Sequence, residues 1–154
     1  MRLVLYQPDI PQNTGTMLRL AACLGAAVDI VEPAGFDVSD RNFRRAGMDY
    51  LDGVEILRHR SFAAFEDWRR AAGIRLVLAT THGEARYTDF AFAPGDAILM
   101  GRESAGVPEA VHAAADARVT IPMRPGFRSL NVAVAAAMLL GEASRQAGWA
   151  GIDG

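Results

Sequence analysis

The chain has 154 residues, 51% of them hydrophobic and 22% charged, with a formal net charge of −2. That suffices for one domain with a real core and excludes a disordered chain, a pair of large domains, and a protein basic enough to hold nucleic acid by overall charge. All sixteen basic residues are arginine and the single cysteine is Cys23, which excludes Schiff-base chemistry on lysine, an intrachain disulfide and a zinc cluster.

In chain order, Arg2 to Tyr6 reads as a strand. Gln7, Pro8 and Asp9 end the apolar start too early for a signal peptide. No apolar run reaches membrane-spanning length, so a cytoplasmic protein is expected. Asn13 to Gly25 reads as a helix, with Asn13 as N-cap and Gly25 as stop. Cys23 lies in this pattern and is expected to be a small buried hydrophobe. Ala27 to Val31 is the next strand, and Glu32 to Val38 a loop. Ser39 to Ala46 reads as a short polar helix and Val54 to Leu57 as a weak strand. Ser61 to Ala72 is a helix capped by Ser61, with Phe62, Phe65 and Trp68 on or near one face. Ile74 to Ala79 is a buried strand, followed by loop to Pro94. Ala97 to Met100 is a strand, Pro108 to Ala115 a helix opened by proline, and Arg118 to Ile121 a strand. Ser129 to Ala147 is the last helix, apolar almost all round from Val132 to Leu140.

Repeated βα units with near-continuous apolar strands predict an α/β fold, a mostly parallel sheet with helices on both faces. One domain over 1–148 and a tail from Trp149 to Gly154 are expected. An all-round apolar helix in so small a domain needs a second covered side, so a homodimer built partly on this helix is expected.

The last third carries the functional signal. The strand ending at Met100 runs into Gly101-Arg102-Glu103-Ser104-Ala105-Gly106-Val107-Pro108. Ile121-Pro122-Met123 leads to Arg128-Ser129-Leu130-Asn131. Open α/β sheets bind ligands at such strand ends, and glycine-rich loops offer backbone groups with no side chain in the way. Without lysine, Gly101 to Gly106 is not a phosphate-binding P-loop despite its spacing. His82 and His112 stand apart from other ligand types, so no metal site is expected.

These segments resemble the three motifs of the SPOUT class of RNA 2′-O-methyltransferases. The first is Leu5-Tyr6-Gln7-Pro8-Asp9-Ile10-Pro11-Gln12-Asn13-Thr14-Gly15 followed by Arg19. The second is Gly101 to Pro108, and the third joins Ile121-Pro122-Met123 to Arg128-Ser129-Leu130-Asn131. Phe43-Arg44-Arg45-Ala46-Gly47-Met48-Asp49-Tyr50 is similar to a stretch of one branch, the small tRNA (cytidine/uridine-34) 2′-O-methyltransferases, which modify the wobble nucleotide of leucine tRNAs. The resemblance covers about Leu3 to Gly148. It departs at Val132-Ala133-Val134, where family members often carry a second Ser and Asn.

The resemblance implies a C-terminal trefoil knot, S-adenosylmethionine as cofactor, tRNA as substrate and a homodimer with each active site near the subunit boundary. It implies that Ala79, Gly101, Ile121, Met123, Ser129 and Leu130 hold the cofactor, and that Arg19, Asn13 and Ser129 are catalytic. Asn13 suits a helix cap equally, Ser129 has a helix cap as its alternative role, and Glu103 suits either a place near the sulfonium or the surface. Arg19 sits among Met17, Leu18, Leu20 and Ala21, where a guanidinium is costly without a partner. Because arginine stays protonated, it is expected to hold an RNA phosphate and stabilise the developing alkoxide, with phosphate or water taking the proton. Arg41, Arg44 and Arg45, with Arg58, His59 and Arg60, form the most basic region. It is either a solvated face or a contact for RNA phosphates. Other readings are methylation of a different RNA, a silent RNA-binding relative, and an unrelated nucleotide-binding domain. The last lacks a G-x-G-x-x-G after its first strand.

Overall fold

The structure is a computed structural model that describes residues 1–39, 41 and 51–152. Seven strands form one sheet in the order β3-β2-β1-β6-β4-β7-β5. They are β1 (Arg2–Tyr6), β2 (Ala27–Val31), β3 (Ile56–His59), β4 (Leu76–Ala79), β5 (Ala85–Arg86), β6 (Ala97–Met100) and β7 (Ala117–Thr120). Every pairing between them is parallel, as the apolar strands predicted.

Side chains alternate across a strand, and the core divides accordingly. Leu3, Leu5, Ile98 and Met100 face one side, under α1 (Pro11–Cys23) and α4 (Val132–Gln146). Val4, Tyr6, Ala97 and Leu99 face the other, under α2 (Phe62–Ala71) and α3 (Glu109–Ala114). Helices therefore cover both faces. Of the three aromatics expected on one face of α2, Phe65 is fully buried, while Phe62 and Trp68 pack half-buried against the same cluster.

Several boundaries move for local reasons. Helix α1 begins at Pro11, whose missing N–H costs nothing in the first turn. Asn13 is thus inside the helix and is not its N-cap. Gly25 takes φ +64 just beyond the end, as its role as stop requires. Strand β3 starts at Ile56 because Leu51–Gly53 form a 3₁₀ turn closed by the Val54 N–H on the Leu51 carbonyl. Ile74 precedes β4 because its N–H closes α2 on the Arg69 carbonyl. Strand β5 lies inside the stretch read as loop. At two residues it has no periodicity to read, and only its pairing with Val119 and Thr120 makes it a strand. Cys23 is exposed, not buried, on the last turn of α1. The helix expected over Ser39 to Ala46 lies largely outside the described residues.

Two buried ion clusters went unnoticed in the sequence. Asp29 of β2 is fully buried and accepts from Arg2 Nε at 2.6 Å, with His59 Nε2 at 2.7 Å. His59 is therefore turned inward and does not belong to the basic surface. Arg69 of α2 is 3% exposed and donates to Glu66, to Asp116 at 2.8 Å and to the Ala114 carbonyl at 3.0 Å. The Arg69 guanidinium is buried with all three nitrogens donating, the condition under which such burial is tolerated, whereas Arg2 is half-buried.

Candidate active site

A cavity of about 690 Å³ opens at the carboxyl ends of β4, β6 and β7. Its walls come from Ala79 to His82, Met100 to Glu103, Ala105 to Val107, Val119 to Ile121, Met123 and Arg128 to Val132, with Asn13 entering from α1. All six residues expected to hold a cofactor line it: Ala79, Gly101, Ile121, Met123, Ser129 and Leu130. Asn13 and Glu103 do so as well. Arg19 and Arg41 do not; both are exposed. Arg19 is six residues beyond Asn13, about 9 Å along the helix and about 120° around it. Its exposure means that the burial cost suggested by its apolar neighbours does not arise. Arg44 and Arg45 lie outside the described residues.

The Gly101 loop is tight. Arg102 and Gly106 exchange backbone hydrogen bonds of 3.1 and 2.8 Å, and Gly106 takes φ +63. A Cβ on Gly101 would lie 2.9 Å from the Gly106 Cα, closer than real Cβ contacts come. This position must be glycine, and its backbone consequently faces the cavity bare.

A chain of polar side chains ties the three motif segments together. Asn131 caps α4, its Oδ1 accepting from the Ala133 N–H at 2.9 Å and the Val134 N–H at 3.3 Å. The cap is Asn131 and not Ser129, and it satisfies the helix start without the second Ser and Asn common in relatives. With Oδ1 so engaged, Asn131 Nδ2 donates to Asn13 Oδ1 at 3.0 Å. Asn13 Nδ2 then donates to Glu103 Oε1 at 3.3 Å. Each amide orientation follows from the previous one.

Glu103 and Asp9 form a reciprocal clasp. The Asp9 N–H donates to Glu103 Oε2 and the Glu103 N–H to Asp9 Oδ1, both at 3.2 Å. The Ser104 hydroxyl donates to Asp9 Oδ2. Hydrogen bonding with Glu103 and then Ser104 holds the Asp9 carboxyl down at about 2. Burial, and next the Asp9 carboxyl, push Glu103 above the usual range. Glu103 is thus neither a lone surface carboxylate nor free in the cavity; it orients Asn13.

His82 and His112 both reach the cavity wall. Arg118 Nε donates to His112 Nδ1 at 3.1 Å and to the His112 carbonyl at 3.0 Å. Sequence reasoning passed over Asp9, Ser104 and Asn131 as site residues. Asn131 had a signal, an Asn directly before an apolar helical run. The Asp9–Ser104 contact spans 95 positions and had none.

Residues 1–141 match the SpoU rRNA Methylase family. A protein of Beijerinckia indica named tRNA (cytidine(34)-2′-O)-methyltransferase is 70% identical over 95% of this chain and 91% of its own length. A solved structure described as giving insights into the 2-OH methylation of C/U34 on tRNA superposes with a TM-score of 0.88. It is 43% identical, covering 96% of this chain and 95% of that one. The SpoU methyltransferase AviRb of Streptomyces viridochromogenes, solved in complex with AdoMet, gives a TM-score of 0.85 at 35% identity, over 96% of this chain and 57% of that one. The motifs, the strand-end cavity they enclose and these likenesses place the chain in the SpoU family, among the SPOUT-class tRNA 2′-O-methyltransferases.

Proposed function

We propose that this protein transfers a methyl group from S-adenosylmethionine to the ribose 2′-hydroxyl of the wobble nucleotide, cytidine-34 or modified uridine-34, of leucine tRNAs. The observation that carries this reading is the strand-end cavity, where the six cofactor candidates meet Asn13 and Glu103. Its volume suits a small-molecule ligand, and the bare backbone at Gly101 suits the close approach of a flat base. Ala79, Gly101, Ile121, Met123, Ser129 and Leu130 would hold the cofactor. Bound S-adenosylmethionine supplies an electrophilic methyl group on a sulfonium.

The chain's own residues have the remaining tasks of orientation and charge. Asn13, held by Asn131 and Glu103, fixes one edge of the site where the ribose enters. Ser129 presents a hydroxyl at the cavity wall. Arg19, exposed on α1, grips an RNA phosphate and stabilises the developing alkoxide, with a phosphate oxygen or water accepting the proton. Arg41, Arg44 and Arg45 contact other phosphates of the RNA.

The reading includes a trefoil knot. Strand β7 lies between β4 and β5, two strands that precede it, and pairs with both. The loop joining that pair crosses β7 so closely that a Cβ on Gly83 would lie 2.4 Å from the Val119 carbonyl carbon. Such a path supports threading of the later segment beneath the 80–84 loop. Residues 1–148 act as one domain with 149–154 as a tail, and two copies form a homodimer in the cytoplasm.

The test is incubation with labelled S-adenosylmethionine and bulk tRNA lacking wobble methylation, followed by mapping of 2′-O-methyl groups by nuclease digestion and mass spectrometry. Label at the wobble ribose of leucine tRNAs is expected. Label at another position would replace the substrate. Absence of cofactor binding would favour a silent RNA-binding protein.

A further inference from the structure

Between Met123 and Ser129 the chain turns through Arg124-Pro125-Gly126-Phe127-Arg128. Phe127 is 71% exposed, more than any other large hydrophobic side chain among the described residues. A lone exposed hydrophobe is ordinary, so exposure by itself decides nothing. Three neighbouring facts give it meaning.

The first is local order. Gly126 takes φ +93, and the Phe127 N–H closes the turn on the Arg124 carbonyl at 3.3 Å. The ring is held out on a defined turn. The second is charge. Arg124 and Arg128 are both exposed, and neither makes an ion pair or side-chain hydrogen bond with any described residue. No acidic residue occurs anywhere from Ile121 to Leu140. The third is position. Met123, Arg128 and Ser129 line the cavity, whereas Phe127 does not. The ring therefore stands at the rim, between two guanidiniums without partners among the described residues.

An aromatic face flanked by cations is what single-stranded RNA asks for. Every base has a π-face that stacks on such a ring, and every phosphate accepts from a guanidinium. We propose that Phe127 stacks on a base next to the nucleotide whose ribose enters the cavity, while Arg124 and Arg128 contact the flanking phosphates. This rests on the RNA-methylation reading above and adds to it a specificity element of this chain. A second copy of the protein is the other occupant, and the molar-mass measurement below distinguishes it.

The test is binding of a fluorescent anticodon stem-loop RNA by the full chain, followed by anisotropy. Cofactor affinity by calorimetry and molar mass by light scattering are measured in parallel. Phe127→Leu keeps an apolar side chain and removes the π-face; it should weaken RNA binding about tenfold. Phe127→Tyr should stay within about twofold of wild type. Arg124→Ala should reduce the slope of log affinity against log salt by about 0.7–0.9, one phosphate contact. Cofactor affinity and mass should not change. RNA binding by Phe127→Leu equal to wild type, or none by wild type, would overturn the proposal. A fall in mass for Phe127→Leu would do so too, giving the ring to a subunit interface. Because binding needs no turnover, the two readings fail separately. The predicted binding pattern without wobble methylation would sink only the substrate assignment. Wobble methylation with an indifferent Phe127 would sink only the stacking.

Discussion

Asp9 and Glu103 lie 94 positions apart, yet each accepts the other's backbone N–H. Both carboxyls therefore depart from their ordinary values, in opposite directions. Asp9, held at about 2, contributes stability that is complete above its ordinary value of 3.8 and is lost as pH falls through about 2. Glu103, pushed up, contributes stability below its ordinary 4.5 that is lost as pH rises through its folded value. Asp9→Ala should thus lower stability at pH 7 by about 1.5–3 kcal/mol, the scale of hydrogen bonds to a charged group. The deficit should narrow as pH falls from 4 toward 2, as urea unfolding of the two proteins across that range would show. A deficit constant with pH would mean the Asp9 charge is irrelevant to the clasp. At Gly101 the argument is steric. A methyl group 2.9 Å from the Gly106 Cα must open the loop. Gly101→Ala should retain the far-ultraviolet circular dichroism of the fold and lose at least about tenfold in cofactor affinity by calorimetry, a 1.4 kcal/mol effect.

At the scale of elements, one side chain joins helix stability to site geometry. Asn131 caps α4 through Oδ1 and holds Asn13 through Nδ2. Asn131→Ala should cost about 1 kcal/mol for the cap, a drop of about 3 °C in Tm. It should cost activity out of proportion to that, because Asn13 loses the group that orients its amide. Asn131→Asp keeps an acceptor for the helix and removes the donor. It should restore Tm and leave kcat low; recovery of both would show that the cap alone matters. Much of this framework was legible beforehand. Strands β1, β2 and β6 follow from short apolar runs bounded by Pro, Gly or Asp, and Ser61 caps α2 through the Ala64 N–H as its position suggested. What sequence did not reveal depends on distant partners. β5 is a strand only beside β7, and Arg69 is buried only because Glu66, Asp116 and the Ala114 carbonyl surround it. At the site, the ligand-binding loops were readable from strand ends and the six cofactor candidates from the family resemblance, while the orientation of Asn13 was not legible, since it is set through Asn131 and Glu103.

For the whole molecule, the expectation of a dimer rested on the apolar circumference of α4. Within one chain that helix buries Ala133, Ala136, Leu139, Leu140 and Ala143 against the sheet and α1. Its other side stays open. Val134 is 50% exposed, Ala137 is exposed, and Met138 and Gly141 are half-buried. Leu130 and Ile10, 40% and 39% exposed, extend this apolar surface toward the cavity. A stripe at positions 134, 137, 138 and 141 follows helical spacing, so it presents one continuous face. A partner seated there would also close the side of the cavity lined by Leu130 and Ile10, coupling assembly to cofactor retention. Val134→Asp places a charge in the middle of that face, where an apolar contact would leave it unpaired. Light scattering at micromolar concentration should give twice the chain mass for wild type and the chain mass for the variant. Circular dichroism of the variant should be unchanged, because Val134 does not contribute to the core. Its cofactor affinity should fall along with its mass. A wild-type monomer would overturn the dimer itself, and a variant that remains dimeric would move the interface off α4. A monomeric variant with intact cofactor affinity would separate assembly from the site.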